Sequence, residues 1–225
     1  MTTKDEKAVV VLSGGQDSTT CLYWAINKFG QDQVETLTFD YGQRHRIELN
    51  AAKQVAKIAG VDNTVLPIDT FAQLGGNSLT GDIAVETDVV DDSVPNTFVP
   101  GRNIIFLSFA GAYAYNSGAK HLVTGVAQTD YSGYPDCREE TIQAMQTTLC
   151  LGMEYELSIH TPLMHLSKAQ TIEMAQELGA MHAMAYSHTC YNGEVPPCGN
   201  CQACGLRAKG FTEAGVDDPL VLRTR

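Results

Sequence analysis

Two adjacent glycines set among hydroxyl, amide and carboxylate side chains, Ser13-Gly14-Gly15-Gln16-Asp17-Ser18, are the residues of this chain best suited to hold a phosphate. Glycine lets the backbone approach an anion closely. A helix starting after the loop adds free N–H groups and a dipole that favour negative charge at the same point. Ser13, Asp17 and Ser18 supply oxygens that bond phosphate or hold a hydrated magnesium ion. An ordinary strand-to-helix turn rarely needs two glycines, two serines and an aspartate together. The loop lacks the Gly-Lys-Ser/Thr ending of a Walker A motif, and no lysine occurs between Lys7 and Lys28. The G-x-G-x-x-G spacing of a Rossmann fingerprint is absent as well.

Four cysteines form the second chemical signal. Cys190, Cys198, Cys201 and Cys204 follow the spacing C-x7-C-x2-C-x2-C, with Pro196, Pro197 and Gly199 shaping the turns. Four thiolates gathered this way suit tetrahedral zinc, and a closed four-cysteine site is structural. A [4Fe–4S] cluster also takes four cysteines, although the ferredoxin run is spaced differently. His188 stands two residues before Cys190, but four cysteines already complete a shell, which leaves His188 beside the metal or near the active site. Cys21 and Cys150 fall in helical runs and read as core. Cys137 lies in a polar segment and is kept as a candidate reactive thiol.

These groups need a scaffold, and the hydrophobic pattern supplies one. Strand signals at 8–12, 35–39, 64–68, 121–126 and 158–161 alternate with helical ones at 19–29, 46–59, 103–115, 138–151 and 168–178. Such alternation implies a parallel sheet covered by helices on both faces. Ligands bind outside the carboxyl ends of such strands, so the loops after Leu12, Phe39 and Val126 are expected to line one crevice. The stretch 72–100, rich in Asp, Asn, Gly and Thr, reads as a long loop close to the site. The organisation expected is an α/β domain over 1–185 and a metal-binding segment over 186–225 packed on it.

Composition narrows the function. The 225 residues are 44% hydrophobic, enough for a sizeable core, and the net charge of −11 argues against a large nucleic acid as main partner. No apolar run nears the roughly 20 residues that span a bilayer. The polar residues Met1 to Lys7 lack a signal peptide's apolar core. A cytoplasmic protein is expected.

The Ser13–Ser18 loop resembles the pyrophosphatase loop, Ser-Gly-Gly-x-Asp-Ser, of the N-type ATP pyrophosphatases (the PP-loop superfamily). Three further segments narrow the resemblance: Asp40-Tyr41-Gly42-Gln43-Arg44-His45, Val99-Pro100-Gly101-Arg102-Asn103, and Asp130-Tyr131-Ser132-Gly133-Tyr134-Pro135-Asp136-Cys137-Arg138. With Cys198-Gly199-Asn200-Cys201-Gln202-Ala203-Cys204-Gly205-Leu206-Arg207, the set is similar to the 7-cyano-7-deazaguanine synthase family of queuosine precursor biosynthesis, over about Lys7 to Pro219. The resemblance implies a reaction: 7-carboxy-7-deazaguanine, ammonia and ATP give the nitrile through an adenylated carboxylate and an amide. It implies a homodimer; the cysteines are expected to hold one structural zinc per chain and magnesium to accompany ATP, and with no glutaminase-like nucleophile region in the sequence free ammonia is the expected nitrogen source. The choice between AMP and ADP as product stays open.

Roles follow on that basis. Ser13, Gly14, Gly15, Gln16, Asp17 and Ser18 hold the β and γ phosphates, with Asp17 near magnesium. Leu12 and Thr19, Thr20, Cys21 and Leu22 complete the nucleotide wall. Lys168 reaches the phosphates or is a solvated lysine. Arg102 sits at a helix N-terminus, which the dipole does not favour for a cation, and this points to a ligand role. Arg44 and His45 contact the ligands or form a surface basic pair. In the substrate segment, Asp130 or Asp136 accepts the guanine-like N–H edge and Tyr131 or Tyr134 stacks on the ring. Arg138 pairs with the substrate carboxylate through a two-pronged contact. Two other classes compete. One is a tRNA thiolase carrying sulfur on Cys137; the other is a non-enzymatic zinc knuckle binding nucleic acid.

Overall fold

Ala8, Val9 and Val10 are wholly buried, and this short β-branched run is β1 (Ala8–Val11), the central strand of the sheet. In the computed structural model the described residues are 6–43, 46–68, 70, 97–128 and 134–224. β1 pairs in parallel with β2 (Val34–Asp40) on one side and β4 (His121–Val123) on the other. β3 (Asn63–Pro67) and β5 (Ser158–His160) lie at the two edges, giving the order β3-β2-β1-β4-β5. All the pairings are parallel.

Successive side chains of a strand point to opposite faces, and β1 divides its residues accordingly. Ala8, Val10 and Leu12 join one core with Leu22, Ala25 and Phe29 of α1 (Gln16–Phe29) and Ala52, Val55 and Ala56 of α2 (Ile47–Ala59). Val9 joins a second core on the other face. Its helical members come from α3 (Arg102–Ser117), with Leu107, Ala110 and Ala114, and α4 (Glu139–Met153), with Ile142, Met145 and Leu149. Each fully buried Leu or Val stabilises the fold by roughly 1.5–3 kcal/mol over exposure. The helix spacings of these residues explain why both layers must lie flat on the sheet.

The remaining helices are α5 (Lys168–Glu177), α6 (Met181–Met184), α7 (Gln202–Glu213) and α8 (Pro219–Thr224). Ile172, Ala175, Met184 and Phe211 bury one another where α5, α6 and α7 meet. The expected α/β architecture with a parallel sheet is therefore present. Three details differ from the sequence reading. α1 begins at Gln16, inside the phosphate loop, and not at Thr19. β4 ends at Val123; Thr124 still donates its N–H to the His160 carbonyl at 3.0 Å, and Thr124 to Ala127 line the crevice. The C-terminal segment carries α7 and α8, which its turn-rich sequence obscured. Of the expected 72–100 loop, residues 72–96 lie outside the described residues.

Candidate active site

A crevice of about 310 Å³ opens at the carboxyl ends of β1, β2 and β4, where the strand order reverses between β1 and β4. That is the position at which open α/β sheets bind ligands. Leu12, Phe39 and Val126 all line it, so the three expected loops do converge.

One end is the Ser13–Ser18 loop, the expected phosphate loop. Gly15 precedes α1 with no side-chain cap, which leaves the first N–H groups of a 14-residue helix free to face an anion. Ser13 Oγ and Ser18 Oγ lie 3.0 Å apart, and Ser18 donates to the Gly15 carbonyl at 3.1 Å. Gly14 has φ +89°, and a Cβ there would stand 2.5 Å from the Glu48 carbonyl oxygen and 2.6 Å from the Ala52 nitrogen. Only glycine lets the loop lie against the backbone of α2. The opposite side is also tight, though less so: a Cβ on Gly125 would meet the Ser18 nitrogen at 3.1 Å. Lys168, the first residue of α5, donates to Asp17 Oδ2 at 2.7 Å. Ser167 caps that helix in a reciprocal box with Gln170, which fixes where Lys168 starts. Lys168 thus belongs to the crevice and is not a solvated lysine: its side chain is 12% exposed.

The other end is built by Tyr41, Glu48, Arg102, Tyr134 and Tyr191. The Arg102 guanidinium lies 5.9 Å from the Tyr41 ring centre. Burial works against its charge, but Tyr41, Tyr134, Asp136 and Tyr191 more than offset this, and its pKa lies above the ordinary value. Burial pushes the Tyr41 hydroxyl up to about 12 and raises Tyr191 further, with Arg102 opposing in both cases. Glu48 is pushed up to about 7 by burial, again against the pull of Arg102.

Several expected site residues stand elsewhere. Thr19 and Thr20 turn their hydroxyls to the Gly15 and Gln16 carbonyls of their own helix, and Cys21 and Leu22 sit in the core; none of the four lines the crevice. The reason is the early helix start, which rotates these residues under the sheet. Arg138 is exposed at the start of α4 and does not line the crevice. Asp136 is buried and accepts the Asn103 backbone N–H at 3.0 Å, so it anchors the first turn of α3 and only indirectly the neighbouring Arg102. Tyr134 does face the crevice, as does Cys137, whose sulfur receives a hydrogen bond from the Asn103 side chain at 3.3 Å. Asp130 and Tyr131, like Arg44 and His45, lie outside the described residues.

Sequence reading missed Tyr41, Glu48, Tyr191 and Arg207 as individual crevice residues. Tyr41 lay within a quoted motif, but Glu48 looked like an ordinary acid in a helix's first turn. Arg207 is 3% exposed and forms a two-pronged pair with Asp218, at 2.6 and 2.8 Å, while donating to Ser187 Oγ at 2.9 Å.

Cys190, Cys198, Cys201 and Cys204 converge with all four sulfurs within 4.8 Å of one another. Thiolates about 2.3 Å from one tetrahedral ion stand roughly 3.8 Å apart, and Cys198 and Cys204 are 3.8 Å apart. Hydrogen bonding from Cys204 pulls the Cys201 thiol down, and the same contact, with burial, drives Cys204 up. Such a set shares protons until a cation lets all four ionise. Cys201 precedes α7 and Cys204 lies in its first turn, so the helix fixes two of the four. The segment leading into the cluster reaches the phosphate loop: the His188 N–H donates to the Gly14 carbonyl at 2.8 Å.

Comparison with known proteins settles the family. A model described as "Queuosine biosynthesis protein QueC" matches residues 7–215. The chain belongs to the QueC family. It is 67% identical over 221 residues to 7-cyano-7-deazaguanine synthase of Chromobacterium violaceum, covering 97% of this chain and 94% of that protein. To the protein of the same name from Laribacter hongkongensis it is 60% identical over 221 residues, covering 97% and 95%. For the Bacillus subtilis protein of that name the identity is 51% over 212 residues, covering 93% and 95%. In this QueC chain no helix among the described residues is long and apolar enough to cross a membrane.

Proposed function

We propose that this chain is an ATP-dependent nitrile synthase that converts 7-carboxy-7-deazaguanine and ammonia to 7-cyano-7-deazaguanine. The observation that carries the reading is one crevice with a phosphate loop at one end and a half-buried cation, Arg102, among tyrosines at the other, in a chain of the QueC family. A carboxylate is a poor acyl donor because oxide is a poor leaving group. The uncapped start of α1, with Ser13, Ser18 and Lys168, holds the pyrophosphate end of ATP while the α-phosphate meets a substrate oxygen. Ammonia then displaces the phosphate ester to give an amide. A second activation at the amide oxygen lets that oxygen leave as well. Arg102, rather than the exposed Arg138, takes the role of pairing with the substrate carboxylate, and Tyr134 offers the stacking face. Asp17 and the loop hydroxyls are oxygen donors of the kind a magnesium ion takes, which would neutralise phosphate charge. A tRNA thiolase and a zinc-knuckle protein are not retained, given family membership over nearly the whole chain.

The test is direct. Purified protein with ATP, ammonium and 7-carboxy-7-deazaguanine is expected to yield amide and then nitrile by mass, with neither forming when ATP is omitted. Asp17→Ala removes the partner of Lys168 and is expected to lower turnover by about 10²–10³-fold. Full turnover by this variant refutes the loop assignment.

The four cysteines hold one structural zinc in this reading, and residues 186–225 form a metal-stapled segment on the 1–185 domain. The close spacing of the sulfurs supports a single ion over a four-iron cubane, which spreads its cysteines more widely. Metal analysis is expected to give one zinc per chain, falling to near zero in Cys201→Ser, with a loss of thermal stability. Iron with acid-labile sulfide would refute zinc. A homodimer is the family expectation, and Phe109 and Tyr115 on α3 with Leu151 on α4, at 47, 51 and 75% exposed, offer apolar surface to a second copy.

A further inference from the structure

We propose that Glu48 is a catalytic base that removes protons from nitrogen, first from the incoming ammonium and then from the amide on its way to nitrile. The inference rests on the nitrile-synthase reading and goes beyond it. Arg102 is a fixed cation, and the one carboxylate of the phosphate loop, Asp17, is already paired with Lys168 at 2.7 Å, so neither is placed to take a proton from nitrogen.

Glu48 belongs to the Arg102 end, on a helix that also touches the phosphate loop. Its backbone carbonyl lies against Gly14 of the phosphate loop, while its side chain lines the crevice and couples electrostatically to Arg102. The first turn of α2 thereby brings a carboxylate of the Arg102 end against the phosphate loop. No side chain among the described residues hydrogen-bonds that carboxylate, so it faces the crevice uncommitted. The ionisable groups around it are Arg102 of α3, Tyr41 from the loop after β2, and Tyr191 from the cysteine segment. Burial raises it to about 7, where a base works best at neutral pH.

The chemistry balances without redox change. Ammonium gives one proton to Glu48, and the free lone pair forms the C–N bond. The C–O bond to the phosphate ester breaks, its electron pair leaves with the nucleotide, and the surplus N–H proton passes to Glu48 once the first has gone to solvent. In the second round the amide oxygen is adenylated by another ATP with loss of pyrophosphate. Both remaining N–H protons leave through Glu48 as the C–O bond breaks and C≡N forms.

The decisive variant is Glu48→Gln, which keeps size and shape. In the intact metal-loaded protein, pyrophosphate release with acid and ATP alone is expected to stay within a few-fold of wild type. Amide formation from ammonium at pH 7 is expected to fall by about 10²–10⁴-fold. Hydroxylamine, largely unprotonated at that pH, skips the first proton transfer and is expected to lose far less rate than ammonium does. The wild-type rate against pH is expected to rise and level off near 7, whereas the variant keeps rising as free ammonia accumulates. Unchanged amide formation, or a loss of hydroxamate equal to the loss of amide, overturns the proposal. So does a wild-type profile without a break near 7, a measurement that needs no variant. No pyrophosphate release by the wild-type protein overturns the reaction itself rather than the role of Glu48.

Discussion

Gly14→Ala is expected to leave almost no ATP-dependent activity and to lower stability by several kcal/mol. The added methyl would stand 2.5 and 2.6 Å from two backbone atoms of α2, far inside contact distance, and backbone cannot swing aside as a flexible side chain can. The φ of +89° adds roughly 1–3 kcal/mol of strain for any L side chain. Relief requires the loop and α2 to separate, which moves Ser13 and the start of α1 off the phosphate position. Denaturant unfolding measures the first effect and pyrophosphate release the second. Wild-type values in both would show that the loop does not rest on α2.

Arg207→Leu is expected to destabilise the protein by about 3–5 kcal/mol, the usual cost of leaving one partner of a buried ion pair alone. Arg207 and Asp218 have side chains only 3 and 10% exposed, so water cannot replace the lost guanidinium. Ser187 also loses its donor, and α7 loses its tie to the chain before Cys190. At about 2–4 °C per kcal/mol for a chain of this size, the melting point should fall by roughly 6–20 °C. Replacing both residues with apolar ones should recover part of the loss, because no orphaned charge remains. Calorimetry on the single and double variants checks this, and equal melting points for wild type and Arg207→Leu would refute it.

The elements that carry periodic apolar residues were legible before any coordinates. Ala8 to Leu12 and the stripe Ala51, Val55 and Ile58 state their periods directly. The three loops after β1, β2 and β4 could be placed at one crevice because a parallel sheet leaves no other position for them. The cysteine cluster was legible too, since spacing alone brings thiols together in tight turns. Residue-level roles were less so. Arg138 and Asp136 looked equivalent to Tyr134 in a single polar motif, yet the 3-10 turn Pro135–Cys137 buries Asp136 against α3 and leaves Arg138 outside. Glu48 was hidden for the opposite reason. An acid in a helix's first turn is ordinary, and only the packing of α2 on Gly14 reveals that this one is enclosed. Helix α7 was masked by the cysteines and glycines that open it.

The contacts at Gly14 and Gly125 are with main-chain atoms, whereas the opposite end of the crevice is lined by Tyr41, Glu48, Arg102, Tyr134 and Tyr191 through their side chains. The two halves therefore differ in how freely they can evolve. Substitution cannot redraw peptide units, so the close approach of the Ser13–Ser18 loop to α2 and to Gly125 is fixed by the fold, even though Ser13, Asp17, Ser18 and Lys168 also line that half with side chains. At the opposite end the lining comes from five side chains, which substitution changes directly. New acids could be recruited to this scaffold by redesigning that half alone, with the nucleotide chemistry carried over unchanged.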